Sequence, residues 1–175
     1  MTVSYGAMDA IDLVAEFLNT HDRETGADGL ATADGFSVWA GEHALMAPGA
    51  WVSPQDAAAA RELREALRTA VETGGGDTAE LDAAASRLPL VALPGEGGRL
   101  ALVSARGGAD DVRAAVIEAM LTAQADGSWP RLKVCRNPDC RWAFTDRSKN
   151  RSRTWCDMAT CGSRSKMRAY RARRA

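Results

Sequence analysis

Four cysteines are the side chains of this sequence whose type and spacing most clearly specify a chemistry. They fall as Cys135-x4-Cys140 and Cys156-x4-Cys161, with fifteen residues between the pairs, and the chain has no others. Two close pairs joined by a short spacer are what a tetrahedral all-thiolate site requires. Each pair clasps the ion from one loop, and the spacer folds back to bring the pairs together. The expected occupant is one structural zinc ion. Two disulfides, unligated thiols or an iron–sulfur cluster would use the same residues. Zinc is favoured because the cysteines sit in turns rich in Asn, Pro, Asp and Arg, and nothing else in the chain points to redox work.

Size argues the same way. Residues 131–175 offer few core formers: Leu132, Val134, Trp142, Phe144, Trp155, Met158, Met167 and Tyr170. Segments below about 40–50 residues rarely fold without a staple. A structural zinc typically contributes about 10–16 kcal/mol of apparent binding free energy. Against a small core and strong like-charge repulsion, that contribution decides whether the segment folds.

The repulsion is real. Residues 131–175 hold 14 Lys or Arg against three Asp, a net charge of +11, whereas residues 1–130 hold 8 basic against 20 acidic, a net charge of −12. A basic block of this density calls for a polyanionic or acidic partner. Arg147, Lys149, Arg151, Arg153, Arg164, Lys166, Arg168 and Arg171 are the candidate nucleic-acid contacts, because Arg makes bidentate bonds to phosphate and to guanine edges. Other chemistry is thin. His21 and His43 belong to no triad or metal spacing, and Gly74-Gly75-Gly76 lacks the Lys-Ser/Thr of a phosphate loop. Asp110 and Asp111 suit the first turn of a helix as charges that complement its dipole. An enzyme is not expected.

The elements that must position these groups read as α+β, mostly α. Helices are expected over Met8 to Thr20, Phe36 to Leu45 (presenting Trp39), Ser53 to about Glu72, Asp77 to Leu88, and Ala109 to about Ala125. Ser53-Pro54-Gln55-Asp56 is a clear helix start. Leu88 to Leu93 and Arg99 to Ser104 read as a β-hairpin. Trp129-Pro130 marks the boundary between a helical N-terminal domain, 1–130, and a cysteine module, 131–175. In that module Arg141 to Thr145 and Ser152 to Cys156 read as two strands of a hairpin. A helix then follows, capped by Ser163, with Met167 and Tyr170 facing the hairpin. Knuckle, hairpin and a helix bearing the last ligand make a treble-clef-like plan. No stretch approaches the roughly 18 apolar residues that span a bilayer, and Met1 to Ala10 lacks a secretory pattern. A cytoplasmic protein without a membrane partner is expected.

The segment from Leu132 through Arg174 resembles the CGNR-type zinc finger of bacteria, particularly actinobacteria. The resemblance rests on Cys-Arg-Asn-Pro-Asp-Cys-Arg-Trp from Cys135, Phe144 through Arg151, Trp155-Cys156 and Cys161-Gly162-Ser163-Arg164. Ser163 stands where the family has Asn. Both residues cap helices, whereas a nucleic-acid contact made by the Asn would be altered. Phe17-Leu18-Asn19-Thr20, Leu63-Arg64-Glu65-Ala66-Leu67-Arg68 and the order of hairpin then helix resemble the ABATE domain that precedes such fingers. The resemblance implies a stress-induced transcription regulator whose finger binds DNA. An RNA- or ribosome-associated protein, or a protein-interaction module using the basic face, are the alternatives. One hypothesis makes the N-terminal domain a sensor with a small-molecule pocket at Asn19, Thr20 and Trp39, although core and capping roles for these three residues are favoured over it.

Overall fold

A computed structural model describes residues 8–47, 49–95, 98 and 100–174. Arg99, the expected start of a strand, lies outside the described residues. Among the described residues, six α-helices and two small antiparallel sheets make a mostly helical α+β fold.

Helix α1, Ala10–Asn19, carries a broad apolar face and a narrow polar stripe of Asp12, Glu16 and Asn19. Ile11, Leu13, Val14, Ala15, Phe17 and Leu18 are buried, as expected of a helix enclosed by its neighbours. It packs against helices Pro54–Glu72 and Ala109–Ala125 and against strand Ala143–Thr145. Helix α2, Ala33–Glu42, starts at Thr32, whose side chain accepts from the Gly35 N–H at 3.1 Å. Its Trp39 is buried against Phe17, with ring centroids 5.3 Å apart. Gly35 is required there, because a Cβ would collide with the Gly29 carbonyl.

Helix α3, Pro54–Glu72, opens on the capping box that its sequence encodes. The Asp56 N–H donates to Ser53 Oγ at 3.1 Å, and the Ser53 N–H donates to Asp56 Oδ2 at 2.9 Å. Such a cap typically contributes about 1 kcal/mol. The helix ends at Gly74 and Gly75, which take positive φ of 62° and 85°. Helix α4, Ala79–Ser86, packs on α3 through Leu81 and Ala84. Strands β1, Leu90–Pro94, and β2, Leu100–Ser104, form the expected hairpin. Its second strand lies on α5, Ala109–Ala125. In the first turn of α5, Asp110 pairs with Arg113, and Asp111 accepts from the Ser104 N–H at 2.9 Å.

The chain then makes a single 3-10 turn, Trp129–Arg131, and enters β3, Leu132–Val134, which pairs with β4, Ala143–Thr145. A π-type turn, Met158–Gly162, leads into α6, Ser163–Ala172. The main core does not stop at residue 130. Leu132 and Ala143 belong to the same buried cluster as α1, α3 and α5. Cys135, Phe144 and Cys161 form a second, small cluster with Cys140, Trp155 and Cys156.

Two buried cations on α3 organise these layers. Arg64, 2% exposed, forks onto Asp28 at 2.6 and 2.9 Å and reaches Thr20 Oγ1 at 3.1 Å. Arg68, 0% exposed, donates to the Leu18 carbonyl at 2.5 Å, near the end of α1, and to the Arg141 carbonyl at 2.6 Å, beside the cysteines. Glu65 lies 3.4 Å away as its counter-ion. Removing one partner of a buried ionic network leaves the others without compensation. Arg68→Met is therefore expected to lower unfolding free energy by about 3–5 kcal/mol, read as a lower urea midpoint. A loss below about 1 kcal/mol would show that the guanidinium does not join the layers.

Candidate metal centre and basic surface

Cys135 and Cys140 bracket a tight knuckle. The N–H groups of Cys140 and Arg141 both donate to the Asn137 carbonyl at 3.0 Å, and the Cys135 N–H donates to the Trp142 carbonyl at 2.9 Å. The knuckle is thus the tip of the β3–β4 hairpin. Cys156 lies just before the π-type turn and Cys161 lies within it. Asp157 caps that turn by accepting from the Thr160 N–H at 2.7 Å. All four sulfurs lie within 4.8 Å of one another. Cys140 and Cys156 are 3.7 Å apart, and Cys156 and Cys161 are 3.8 Å apart. A tetrahedral zinc with bonds of about 2.3 Å has sulfur–sulfur edges of about 3.8 Å. A disulfide needs about 2.05 Å, and all four cysteines are free.

The electrostatics explain why a cation belongs here. Burial pushes the Cys140 thiol up to about 11, against the pull of the Trp142 N–H and the Cys156 thiol. Burial also raises Cys156, helped by its bonds to Cys140 and Cys135. For Cys161 burial acts upward too, but Asn137 Nδ2, 3.5 Å from the sulfur, and the neighbouring thiols bring it below its ordinary value. Thiols that resist ionising together become stable thiolates around a divalent ion. Four converging soft sulfurs, two of them on buried residues, suit zinc.

Two polar residues outside the cysteines hold the cage in shape, and sequence reasoning missed both. Asn137, 1% exposed, points its amide at Cys161, and its carbonyl oxygen accepts from Arg168 on α6. Asp146, 0% exposed, accepts from Lys133 Nζ at 2.6 Å, from the Ser148 N–H at 3.0 Å and from the Arg153 N–H at 2.9 Å. Lys133 also donates to the Arg151 carbonyl at 2.5 Å and the Arg153 carbonyl at 3.1 Å. These bonds correct the expected hairpin. Residues 152–156 form no strand, and β4 pairs with β3 instead. The polar groups of residues 151–154 go to Lys133, to Asp146 and to Arg136, whose N–H donates to the Thr154 carbonyl at 3.1 Å.

Helix α6 also differs from expectation. Ser163 is its first residue, and its hydroxyl donates to the Met158 carbonyl at 3.3 Å, so capping falls to Asp157 one turn earlier. No residue of α6 is buried, and Met167 and Tyr170 face solvent at 52% and 44% exposure.

Of the eight predicted nucleic-acid contacts, four already have partners inside the fold. Arg147 pairs with Asp12 at 2.8 Å, Arg164 with Glu24 at 2.5 Å and Arg168 with Asp139 at 2.9 Å. Arg153 donates to the Cys156 carbonyl at 2.5 Å and lies over the Phe144 ring. Lys149, Arg151, Lys166 and Arg171 are exposed and have no side-chain partner among the described residues. The residues expected near an effector have partners inside the fold. Asn19 clasps the β4 backbone, donating to the Ala143 carbonyl at 2.9 Å and accepting from the Ala143 N–H at 2.8 Å. Thr20 donates to the Phe17 carbonyl at 2.7 Å. Trp39 packs on Phe17 and on His43.

Fold and cage together define a mostly helical protein that carries a four-cysteine zinc finger. A family model described as "CGNR zinc finger" matches residues 131–174, in agreement with the cage. The chain belongs to the ABATE family, described as "Putative stress-induced transcription regulator", whose model matches residues 11–133. No curated protein matches the chain significantly. No helix among the described residues is long and apolar enough to cross a membrane.

Chelation of the metal is expected to abolish amide-exchange protection in the knuckle, 135–141, and in the turn 156–162, while α1, α3 and α5 stay protected, because their core does not include the sulfurs. Retained protection at the knuckle would contradict this. Asp146 adds an acid sensitivity. Despite its burial, Lys133, Ser148 and the Arg153 N–H hold its carboxyl well below the usual carboxylate range. The stability it contributes is complete above the unfolded value of about 3.9 and is lost as pH falls from there toward the depressed folded value. Loop 146–153 should become protease-sensitive below about pH 4. In Asp146→Asn it should be sensitive already at neutral pH.

Proposed function

We propose that the protein is a zinc-dependent DNA-binding transcription regulator that grips duplex phosphates with the finger cations left unused inside the fold. The observation that carries this reading is α6. It is a ten-residue helix with no buried residue, and it leads away from the metal cage at Cys161. Lys166 and Arg171 stand on it without partners, and Lys149 and Arg151 add charge from the preceding loop. Contacts of this kind place a protein on the duplex, and base-edge contacts then supply specificity. The family description, a stress-induced transcription regulator, supports the same reading.

Asp12 and Glu24 of the acidic portion hold Arg147 and Arg164. Solvent-exposed pairs of this kind are worth at most about 1 kcal/mol each, so a dense row of phosphates displaces them. The acidic portion then acts as a mild restraint on DNA binding.

Neutralising about six phosphates gives a slope of log K against log salt of roughly −5, measurable by fluorescence anisotropy with duplex DNA. A nearly flat dependence would overturn the proposal. Lys166→Gln with Arg171→Gln should weaken binding and flatten the slope. Asp12→Asn with Glu24→Gln should strengthen it a few-fold at low salt, and unchanged affinity would reject the restraint. Tighter binding to duplex RNA would favour the RNA-associated alternative, since A-form RNA hides its major groove.

A further inference from the structure

A cleft of about 820 Å³ lies where the end of α3 meets the zinc finger. Its size falls within the roughly 300–1,000 Å³ typical of small-molecule sites. Helix α3 contributes Val71 and Glu72, the 3-10 turn contributes Trp129 and Pro130, and β3 with the knuckle and the 151–154 loop contribute the rest. Its charge is one-sided. Lys133, Arg136, Arg141, Arg151 and Arg153 line it against the single carboxylate of Glu72.

The occupancy of these cations separates structural from available ones. Lys133 is held by Asp146, Arg141 is held by both oxygens of Glu72, and Arg153 donates to the Cys156 carbonyl. Arg136 and Arg151 have no side-chain partner among the described residues, although the fold fixes both backbones. The Arg136 N–H is bonded to Thr154, and the Arg151 carbonyl accepts from Lys133. Arg151 adopts a left-handed φ of 49°. A non-glycine residue keeps such a conformation only where its surroundings impose it, and sites of this kind concentrate at ligand clamps.

The cleft therefore combines two unpaired guanidinium groups with an apolar lining of Val71, Trp129, Pro130, Leu132 and Val134. Guanidinium forks match phosphate oxygens, and a half-buried indole offers a face to a planar group. A concave site with an apolar lining fits a small molecule better than the convex, fully charged backbone of a duplex. We infer that this cleft binds a small organophosphate of nucleoside-monophosphate type, its phosphate on Arg136 and Arg151 and its planar part toward Trp129. The bound molecule bridges α3 and the finger beside the Arg141–Glu72 pair. This inference does not depend on DNA binding.

Isothermal titration of the full-length, zinc-loaded protein with the four ribonucleoside 5′-monophosphates tests it. At least one is expected to bind saturably at one per chain, with inorganic phosphate and the unphosphorylated nucleoside weaker by about ten-fold or more. Arg136→Gln and Arg151→Asn should each weaken binding by about ten-fold or more at unchanged zinc content. Asn is chosen because it tolerates the left-handed backbone. Arg171→Gln on α6 should leave binding unchanged. The inference is overturned if no monophosphate binds saturably, if the two cleft variants bind normally, or if Arg171→Gln weakens binding equally.

Discussion

Four sulfurs confined within 4.8 Å of one another impose the constraint from which the C-terminal quarter of the chain takes its shape. Charged together in a partly dry site, they would repel one another. Left neutral, they would forfeit the strongest interaction open to them. A divalent ion reconciles proximity with charge, and its free energy exceeds what the small Cys135–Phe144–Cys161 cluster could supply through burial. Asn137 and Asp146 complete the arrangement. Asn137 links the knuckle to Cys161 and α6, and Asp146 gathers Lys133, Ser148 and Arg153 so that the loop returns to the second cysteine pair.

The finger is not a free appendage. Arg68 ties the end of α1 to the Arg141 carbonyl, Asn19 pairs with the backbone of β4 as a neighbouring strand would, and Glu72 holds the Arg141 side chain. Arg141 itself takes a left-handed φ of 49° at the exit of the knuckle. Both its carbonyl and its guanidinium are thus held by α3. This mechanical continuity gives the acidic portion a physical means of influencing the basic surface.

The parts of this architecture that were legible in sequence are those set by local rules. Ser53-Pro54-Gln55-Asp56 places the start of α3, the apolar pattern of 109–125 gives α5, and cysteine spacing gives the cage. The parts that were not legible depend on distant partners. Strands of three residues carry too little periodicity to reveal that β4 pairs with β3. Arg64 and Arg68 look like a solvated helix face until Asp28, Leu18 and Arg141 arrive from 36, 50 and 73 residues away. Asn19 looks like a pocket residue because nothing nearby shows that the backbone of β4 will meet its amide. The cleft beside Arg136 was not legible for the same reason, since it exists only once α3 and the finger are packed together.

Extended X-ray absorption fine structure at the zinc edge of the purified full-length protein tests the central claim most directly. One zinc per chain is expected, with a first shell of four sulfurs at about 2.3 Å. A shell containing nitrogen or oxygen at about 2.0–2.2 Å, or a folded metal-free protein with its cysteines joined as disulfides, would contradict it.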